Sequence, residues 1–326
     1  MAQPVAQTIA EWSGDDVTLD QVEGALNDLR RREARAAVRT TVLTLVVVLG
    51  AADRNDEVLD VVRQLGGRHP SRTLLVVMAD DDREGIDAQA SLHVLERDGQ
   101  PVWVEDVVLE VRGRARFHLD SVVEPFTLPD LPVAVWCPFD LPAVGDPLLA
   151  AADRIVVDTR FRAEAPDLLR RVGVLSRRFP VADLSWVRLA PWRSLMAGLF
   201  DGCLEFARGV YRVEVAGHLA PGALMGGWLL SALSLPASAV VLEEADHVSI
   251  RLRATADGQE ARFAVERTSD EKIIRASVEV AGGFSRHQTL RMRDQPRAAV
   301  LADALGRMGR DVVYECALGA ALELLQ

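Results

Sequence analysis

The stretch Val42-Leu43-Thr44-Leu45-Val46-Val47-Val48-Leu49, followed by an amphipathic run from Asp56 to Leu65, the pair Gly66-Gly67 and a second apolar run Thr73 to Met78, decides the fold class. Two continuous apolar runs of strand length flanking a helix describe a βαβ unit, because strands buried on both faces by crossover helices lose the polar alternation of a half-exposed sheet. Further apolar runs at Val133 to Trp136 and Ile155 to Val157 extend the same sheet. Between them, Asp146-Pro147 supplies an N-cap and a first helical residue.

Residues Ile86 to Val94 instead alternate, with Asp87, Gln89, Ser91 and His93 on the polar face, and Asp98-Gly99 turns the chain into Val102. That pattern is an antiparallel hairpin inserted into the mainly parallel sheet, and it places His93 on the surface. Before the sheet, Thr18 and Gln21 form a capping box for a helix with Leu19, Val22, Leu26 and Leu29 on one face. The basic cluster Arg30, Arg31, Arg32 and Arg35 ends it, where cations complement the helix dipole.

After Asp158 the pattern changes. Helical stretches near Pro166 to Arg178 and Trp192 to Ala207, a strand near Tyr211 and a helix from Pro221 to Leu235 lead into alternating strands. In these, Val248, Ile250 and Leu252, then Phe263 and Val265, then Ile274, Ala276, Val278 and Val280 face one way, and one final helix runs from Ala298 to Leu325. The expected architecture is therefore α/β: a helix in residues 1–39, a mainly parallel α/β domain over 40–160, and an α+β domain with a largely antiparallel sheet over 161–326.

The 326 residues carry a formal net charge of −11, which disfavours polyanionic partners such as nucleic acid or an acidic membrane surface. Residues 1–20 include Glu11, Asp15, Asp16 and Asp20 and no long apolar run, so no signal peptide is expected to open the chain. The longest apolar run falls far short of the roughly 20 residues of a membrane span. Three separated cysteines, Cys137, Cys203 and Cys316, show no zinc or dithiol spacing and fit a reducing, cytoplasmic compartment.

Catalytic signatures are absent from the sequence. The turn after the first parallel strand, Gly50-Ala51-Ala52-Asp53, lacks the glycines that admit a pyrophosphate, and no GxxxxGK, HExxH or GxSxG motif occurs. No catalytic residue, cofactor or metal is therefore expected. Arg160 and Arg162, after the last parallel strand, remain a possible anion contact.

Three segments concentrate unusual residues: His69-Pro70-Ser71-Arg72; Leu128-Pro129-Asp130-Leu131-Pro132-Val133 running into Trp136-Cys137-Pro138; and Asp183-Leu184-Ser185-Trp186-Val187-Arg188 with Pro191-Trp192-Arg193 and Leu199-Phe200-Asp201. Tryptophan and arginine anchor interfaces, so His69, Arg72, Trp186, Arg188, Trp192 and Arg193 are candidate partner-binding residues. The competing reading makes the tryptophans core packing and leaves Arg188 or Arg193 as the contact.

In this order, and with Gly227-Trp228-Leu229 further on, the segments resemble the glucose-6-phosphate dehydrogenase assembly protein family, OpcA, over roughly residues 36 to 325. The resemblance implies a non-catalytic activator that binds glucose-6-phosphate dehydrogenase and promotes its active oligomer in the oxidative pentose phosphate pathway. It supplies no catalytic residues, and the thiol-based redox control linked to some relatives stays open for Cys137, Cys203 and Cys316. The alternative reading is a sugar-phosphate-binding or other enzyme on an α/β scaffold.

Overall fold

The computed structural model describes residues 7–33, 41–51, 53, 55–66, 69–81, 83–97, 100–160, 165–268, 270, 272–292 and 295–326. The chain divides into two units. The first holds residues up to Asp158 together with Phe179–Ala182 and Pro296–Arg310, and the second holds Thr159–Arg178, Asp183–Gln295 and Asp311–Gln326.

The first unit is built on β1 (Gln7–Gly14), α1 (Leu19–Arg32), β2 (Leu43–Gly50), α2 (Asn55–Gly66), β3 (Ser71–Met78), β4 (Gly85–Arg97), β5 (Gln100–Arg112), α3 (Leu119–Val123), β6 (Val133–Cys137) and β7 (Arg154–Val157). After α4 (Ala165–Ser176) of the second unit, β8 (Val181–Asp183) completes the sheet order β1-β4-β5-β3-β2-β6-β7-β8. The pairs from β5 through β3, β2 and β6 to β7 are parallel, while β1-β4 and β4-β5 are antiparallel. The long hairpin thus feeds its second strand into the parallel sheet. Its turn at Asp98-Gly99 lies outside the described residues.

The apolar runs become core as their patterning requires: Leu45, Val46, Val47, Leu74, Val76, Val135 and Trp136 are fully buried. One stripe of α2, Val58, Val62 and Leu65, and one of α1, Val22, Leu26 and Leu29, are buried too. Thr18 caps α1 through the Gln21 amide, while the Gln21 side chain accepts from the Thr18 amide at 2.8 Å. Asp146 accepts from the Leu148 amide at 3.0 Å and opens a short 3-10 helix, Pro147–Ala151.

The second unit comprises α4, α5 (Leu184–Arg188), α6 (Ala190–Leu199), β9 (Val210–Gly217), α7 (Leu219–Leu233), β10 (Val240–Glu244), β11 (Ser249–Ala256), β12 (Gln259–Arg267), β13 (Ile273–Val280) and β14 (Ser285–Arg291). Its sheet runs β10-β9-β11-β12-β13-β14, with β9-β10 parallel and the remainder antiparallel. Helix α7, apolar on every face, crosses over between β9 and β10.

Three expectations are corrected. The final helix is two, α8 (Arg297–Leu305) and α9 (Val312–Leu324), because the helix stops at Gly306 and restarts where Asp311 caps the Tyr314 amide at 3.0 Å. The stretch Trp192 to Ala207 is not one helix: α6 ends at Leu199, and Leu204–Gly209 is 3-10. His93 is only 2% exposed. β1 covers its strand on one side, and its ring sits between Thr8 Oγ1 at 3.1 Å and Asp106 Oδ2 at 3.0 Å.

Candidate functional site

The segment Asp183 to Arg193 turns the chain from β8 through α5 into α6, and each of its distinctive residues has a local task. Asp183, fully buried, accepts hydrogen bonds from the Ser185 amide at 2.9 Å and the Thr159 hydroxyl at 2.6 Å, so it caps α5 and anchors Thr159. Trp186 is 4% exposed, donates from Nε1 to Asp311 at 3.1 Å and packs against Tyr314 with ring centroids 5.7 Å apart. Burial, with the Asp183 carboxylate next, pushes the Tyr314 phenol well above its ordinary pKa.

Arg193 also packs on Trp186, its guanidinium 3.4 Å from the ring centroid. Burial lowers its pKa to about 10, with Asp311 acting in the opposite direction. Trp192 is 3% exposed. Both tryptophans are therefore core, whereas Arg188 and Arg193 stay half-buried.

Arg188 and Trp192 also line a cleft of about 410 Å³ that lies wholly within the second unit. Among the described residues, its polar lining includes Arg160, Arg188, Arg267, His218, His247 and Asp246. Leu189, Pro221, Val248 and Met292 add apolar surface. His218, which lines the cleft, is the N-cap of the 15-residue helix α7. Ser185 lines the cleft as well; it is 1% exposed, and its hydroxyl has no hydrogen-bond partner among the described residues.

The other sequence candidates belong to the first unit. His69 and Arg72 stand at the junction of α2 and β3, where the His69 amide closes the helix on Leu65 and the Pro70 carbonyl accepts from Val42. Arg72 is 8% exposed; it donates to Glu105 at 3.2 Å and to the Phe126 carbonyl at 2.9 Å. Arg30 reaches the same carboxylate bidentately at 2.8 and 2.6 Å. Burial alone would raise the Glu105 pKa, but the hydrogen bonds and charge of Arg30, then Arg72, hold it below the ordinary range.

In the segment that runs from Leu128 to Pro138, Trp136 is fully buried on β6, with the Arg297 guanidinium 5.3 Å from its ring centroid. At the carboxyl end of β2, where open α/β sheets hold ligands, the Gly50 amide donates to the Asp53 carboxylate at 2.6 Å. That turn is closed by an acid, and a pyrophosphate there would meet both a spent amide and a like charge.

Sequence reasoning found the aromatic–arginine segment but missed the cleft. Arg160, Arg188, His218, His247 and Arg267 are spread over more than 100 residues, and only the folding of α5, α7 and the sheet strands brings them together.

Fold and site define a two-unit α/β protein in which a turn that stacks Arg193 on the buried Trp186 also lines a cleft of the second unit. The chain belongs to the glucose-6-phosphate dehydrogenase assembly protein family, OpcA. Residues 62–173 match the family described as glucose-6-phosphate dehydrogenase subunit N-terminal domain, and residues 179–318 match the corresponding C-terminal domain. It is similar to the putative OxPP cycle protein OpcA of Synechocystis sp., 30% identical over 144 residues covering 42% of this chain and 30% of the relative. It is also similar to the protein of the same description from Nostoc punctiforme, 26% identical over 201 residues, 57% of this chain and 42% of that one. The chain thus spans less than half the length of the curated relatives it matches.

Among solved structures, the transcriptional regulator Gal80p from Kluyveromyces lactis superimposes with a TM-score of 0.38 at 6% identity over 90% of this chain and 93% of that one. The apo scyllo-inositol dehydrogenase from Lactobacillus casei gives 0.38 at 8% identity over 87% and 96%. Neither likeness is close enough to carry an argument.

Proposed function

We propose that the chain is a non-catalytic assembly factor that binds glucose-6-phosphate dehydrogenase in the cytoplasm and promotes its active oligomer, serving the oxidative pentose phosphate pathway. The carrying observation is the pair of consecutive family matches across residues 62–318, both named for a subunit of that dehydrogenase. The acid-closed turn at Gly50 and Asp53 supports a role outside hydride transfer, because a pyrophosphate at that turn would meet the Asp53 carboxylate. No described helix is long and apolar enough to cross a membrane.

Arg188 is the favoured contact within the aromatic–arginine turn. It is half-buried rather than enclosed, and a guanidinium can grip a partner carboxylate with two hydrogen bonds. The test is an assay of purified dehydrogenase from the same organism with and without this chain, joined to sedimentation of the mixture. A higher rate per dehydrogenase and a larger co-sedimenting species are expected. An unchanged rate with two independent boundaries overturns the proposal.

A further inference from the structure

We infer that strand β14 is the contact through which two copies of this chain pair, edge to edge and antiparallel, into a two-fold dimer. β14 is the last strand of the second unit's sheet, and no strand among the described residues lies beyond it. From Ser285 to Arg291 every residue but Arg286 is exposed.

The ladder fixes which backbone groups are open. β13 and β14 pair without a register shift from Ile273 opposite Arg291 to Glu279 opposite Ser285. At one end the Val280 amide donates to the Phe284 carbonyl at 2.8 Å, and at the other the Met292 amide donates to the Lys272 carbonyl at 2.7 Å. Bonded and non-bonded pairs alternate in an antiparallel ladder, so Arg286, Gln288 and Leu290 direct their backbone to β13. Ser285, His287, Thr289 and Arg291 therefore aim their amides and carbonyls past the edge of the sheet.

Proteins blunt such edges with short strands, bulges, proline or charge. The opposite edge of the same sheet follows that rule: β10 is five residues long and ends in the exposed Glu243 and Glu244. β14 does not. It has seven residues, no proline and no bulge, and only His287, Gln288, Thr289 and Leu290 stand between its two arginines.

The order of residues along the edge selects a second copy as its occupant. Two-fold pairing must set outward-directed residues opposite one another, and an axis at Gln288 does so for all four. His287 then meets Thr289 of the second copy, and Ser285 meets its Arg291. On the other face Arg286 meets Leu290, so no arginine stands opposite another cation, an arrangement that would weaken the pair. Moving the axis to His287 opposes two histidines and carries Arg291 beyond the other strand, while moving it to Thr289 opposes Arg291 and His287. Leu290 and Phe284, 40% and 47% exposed, share the face of Arg286 by the same alternation. With the axis at Gln288 they become diagonal neighbours across the junction and cover each other. A single strand pair is a small interface, so association in the micromolar range is expected.

Sedimentation of the full chain alone, from about 1 to 100 μM, tests the inference and should show a monomer–dimer equilibrium. Thr289→Pro removes an outward amide and no bond to β13, so it should leave melting of the monomer unchanged and weaken dimerisation at least about tenfold. Gln288→Cys, in a Cys316→Ser background that removes the exposed native thiol, should give a disulfide-linked dimer on oxidation by diamide. Residues facing each other in a non-bonded pair lie about 4.5 Å apart at Cα, within disulfide reach. Arg291→Cys in the same background should not cross-link, because its two copies would lie about 20 Å apart. A chain that stays monomeric throughout, or a dimer unaffected by Thr289→Pro and not cross-linked at position 288, overturns the inference. If the chain is monomeric alone and Thr289→Pro abolishes its binding to the dehydrogenase, the edge serves that partner and the pairing of two copies falls. The first three measurements need no dehydrogenase, so their failure leaves the proposed assembly role standing.

Discussion

Arg193 holds Trp186 twice, laying its guanidinium 3.4 Å from the ring centroid while Nη1 donates to the Trp186 carbonyl oxygen at 2.7 Å. A desolvated cation–π contact contributes up to about 2 kcal/mol, and a hydrogen bond about 1 kcal/mol. Arg193→Ala should therefore cost about 1–3 kcal/mol in denaturant unfolding, and Arg193→Lys should recover little because ammonium reproduces neither the stacking nor the planar fork. Trp186→Ala should cost about 3–5 kcal/mol through the cavity it leaves. If Arg193→Ala unfolds like the parent, the contact contributes nothing. Loss of dehydrogenase activation in Arg193→Ala would thus be confounded by folding, whereas loss in Arg188→Ala with unchanged melting would mark an interface.

Glu105 is the shared acceptor of two arginines, the buried Arg72 and the half-buried Arg30. Glu105→Gln strands the buried Arg72 without its carboxylate and takes the same partner from the half-buried Arg30, and breaking a buried pair on one side costs about 3–5 kcal/mol. Replacing all three with apolar residues of similar volume should return most of that loss. Urea unfolding of the single and triple variants measures it, and equal destabilisation of the two would refute the account.

Arg112 grips Asp87 bidentately at 2.5 and 2.6 Å, and these bonds, with the Asp16 amide next, lower the Asp87 pKa to about 2. The folded value lies below the unfolded one near 3.8. The stabilisation is therefore complete above about pH 4 and is lost as pH falls toward 2. Partial exposure of the carboxylate makes the effect small. Asp87→Asn should flatten the acid limb of the melting-temperature profile between about pH 4 and 2, and an unaltered limb would count against the pairing.

Thiol chemistry should be confined to one position. Burial raises the Cys137 pKa to about 12, and burial followed by Glu205 raises that of Cys203, whose thiol donates to the Leu199 carbonyl at 3.2 Å. Cys316 is exposed on α9. Since the thiolate is the reactive form, a thiol-exchange reagent should modify Cys316 in the native protein and the two buried cysteines only after unfolding. Rapid native modification of two or three thiols would reverse this assignment.

What the sequence revealed follows from how locally each feature is encoded. The apolar runs at Val42 and Thr73 declare a buried parallel sheet because their neighbours along the chain suffice to show it. Strand β1 was invisible: its exposed residues carry no clean alternation, and its register depends on β4, more than 70 residues away. His93 was misplaced for the same reason, since the alternation marks one face as polar without saying that β1, Thr8 and Asp106 cover it. Strand β14 was missed because Ser285–Arg291 is almost all exposed and polar. The aromatic–arginine turn was legible from residue types alone, but the cleft needs α5, α7 and β12 assembled before its arginines converge.

Gly227 offers the sharpest test of how the second unit is packed. Helix α7 has glycines at Gly222, Gly226 and Gly227, which should weaken it by about 1 kcal/mol each relative to alanine if propensity alone decided. At Gly227, however, an added Cβ would run into the Ala317 carbonyl oxygen and the Ala321 amide of α9, which are backbone atoms and cannot swing aside. The two helices meet backbone to backbone there. Gly227→Ala should thus destabilise the protein by about 1–3 kcal/mol despite its better helix propensity, as overpacked cores do. Gly319, on α9 itself, has nothing within 4 Å of the same construction. Gly319→Ala should accordingly stabilise by about 0.5–1 kcal/mol. Opposite signs for the two substitutions in thermal and urea unfolding are the expected result; a neutral or stabilising Gly227→Ala would mean that the α7–α9 contact is looser than the geometry requires.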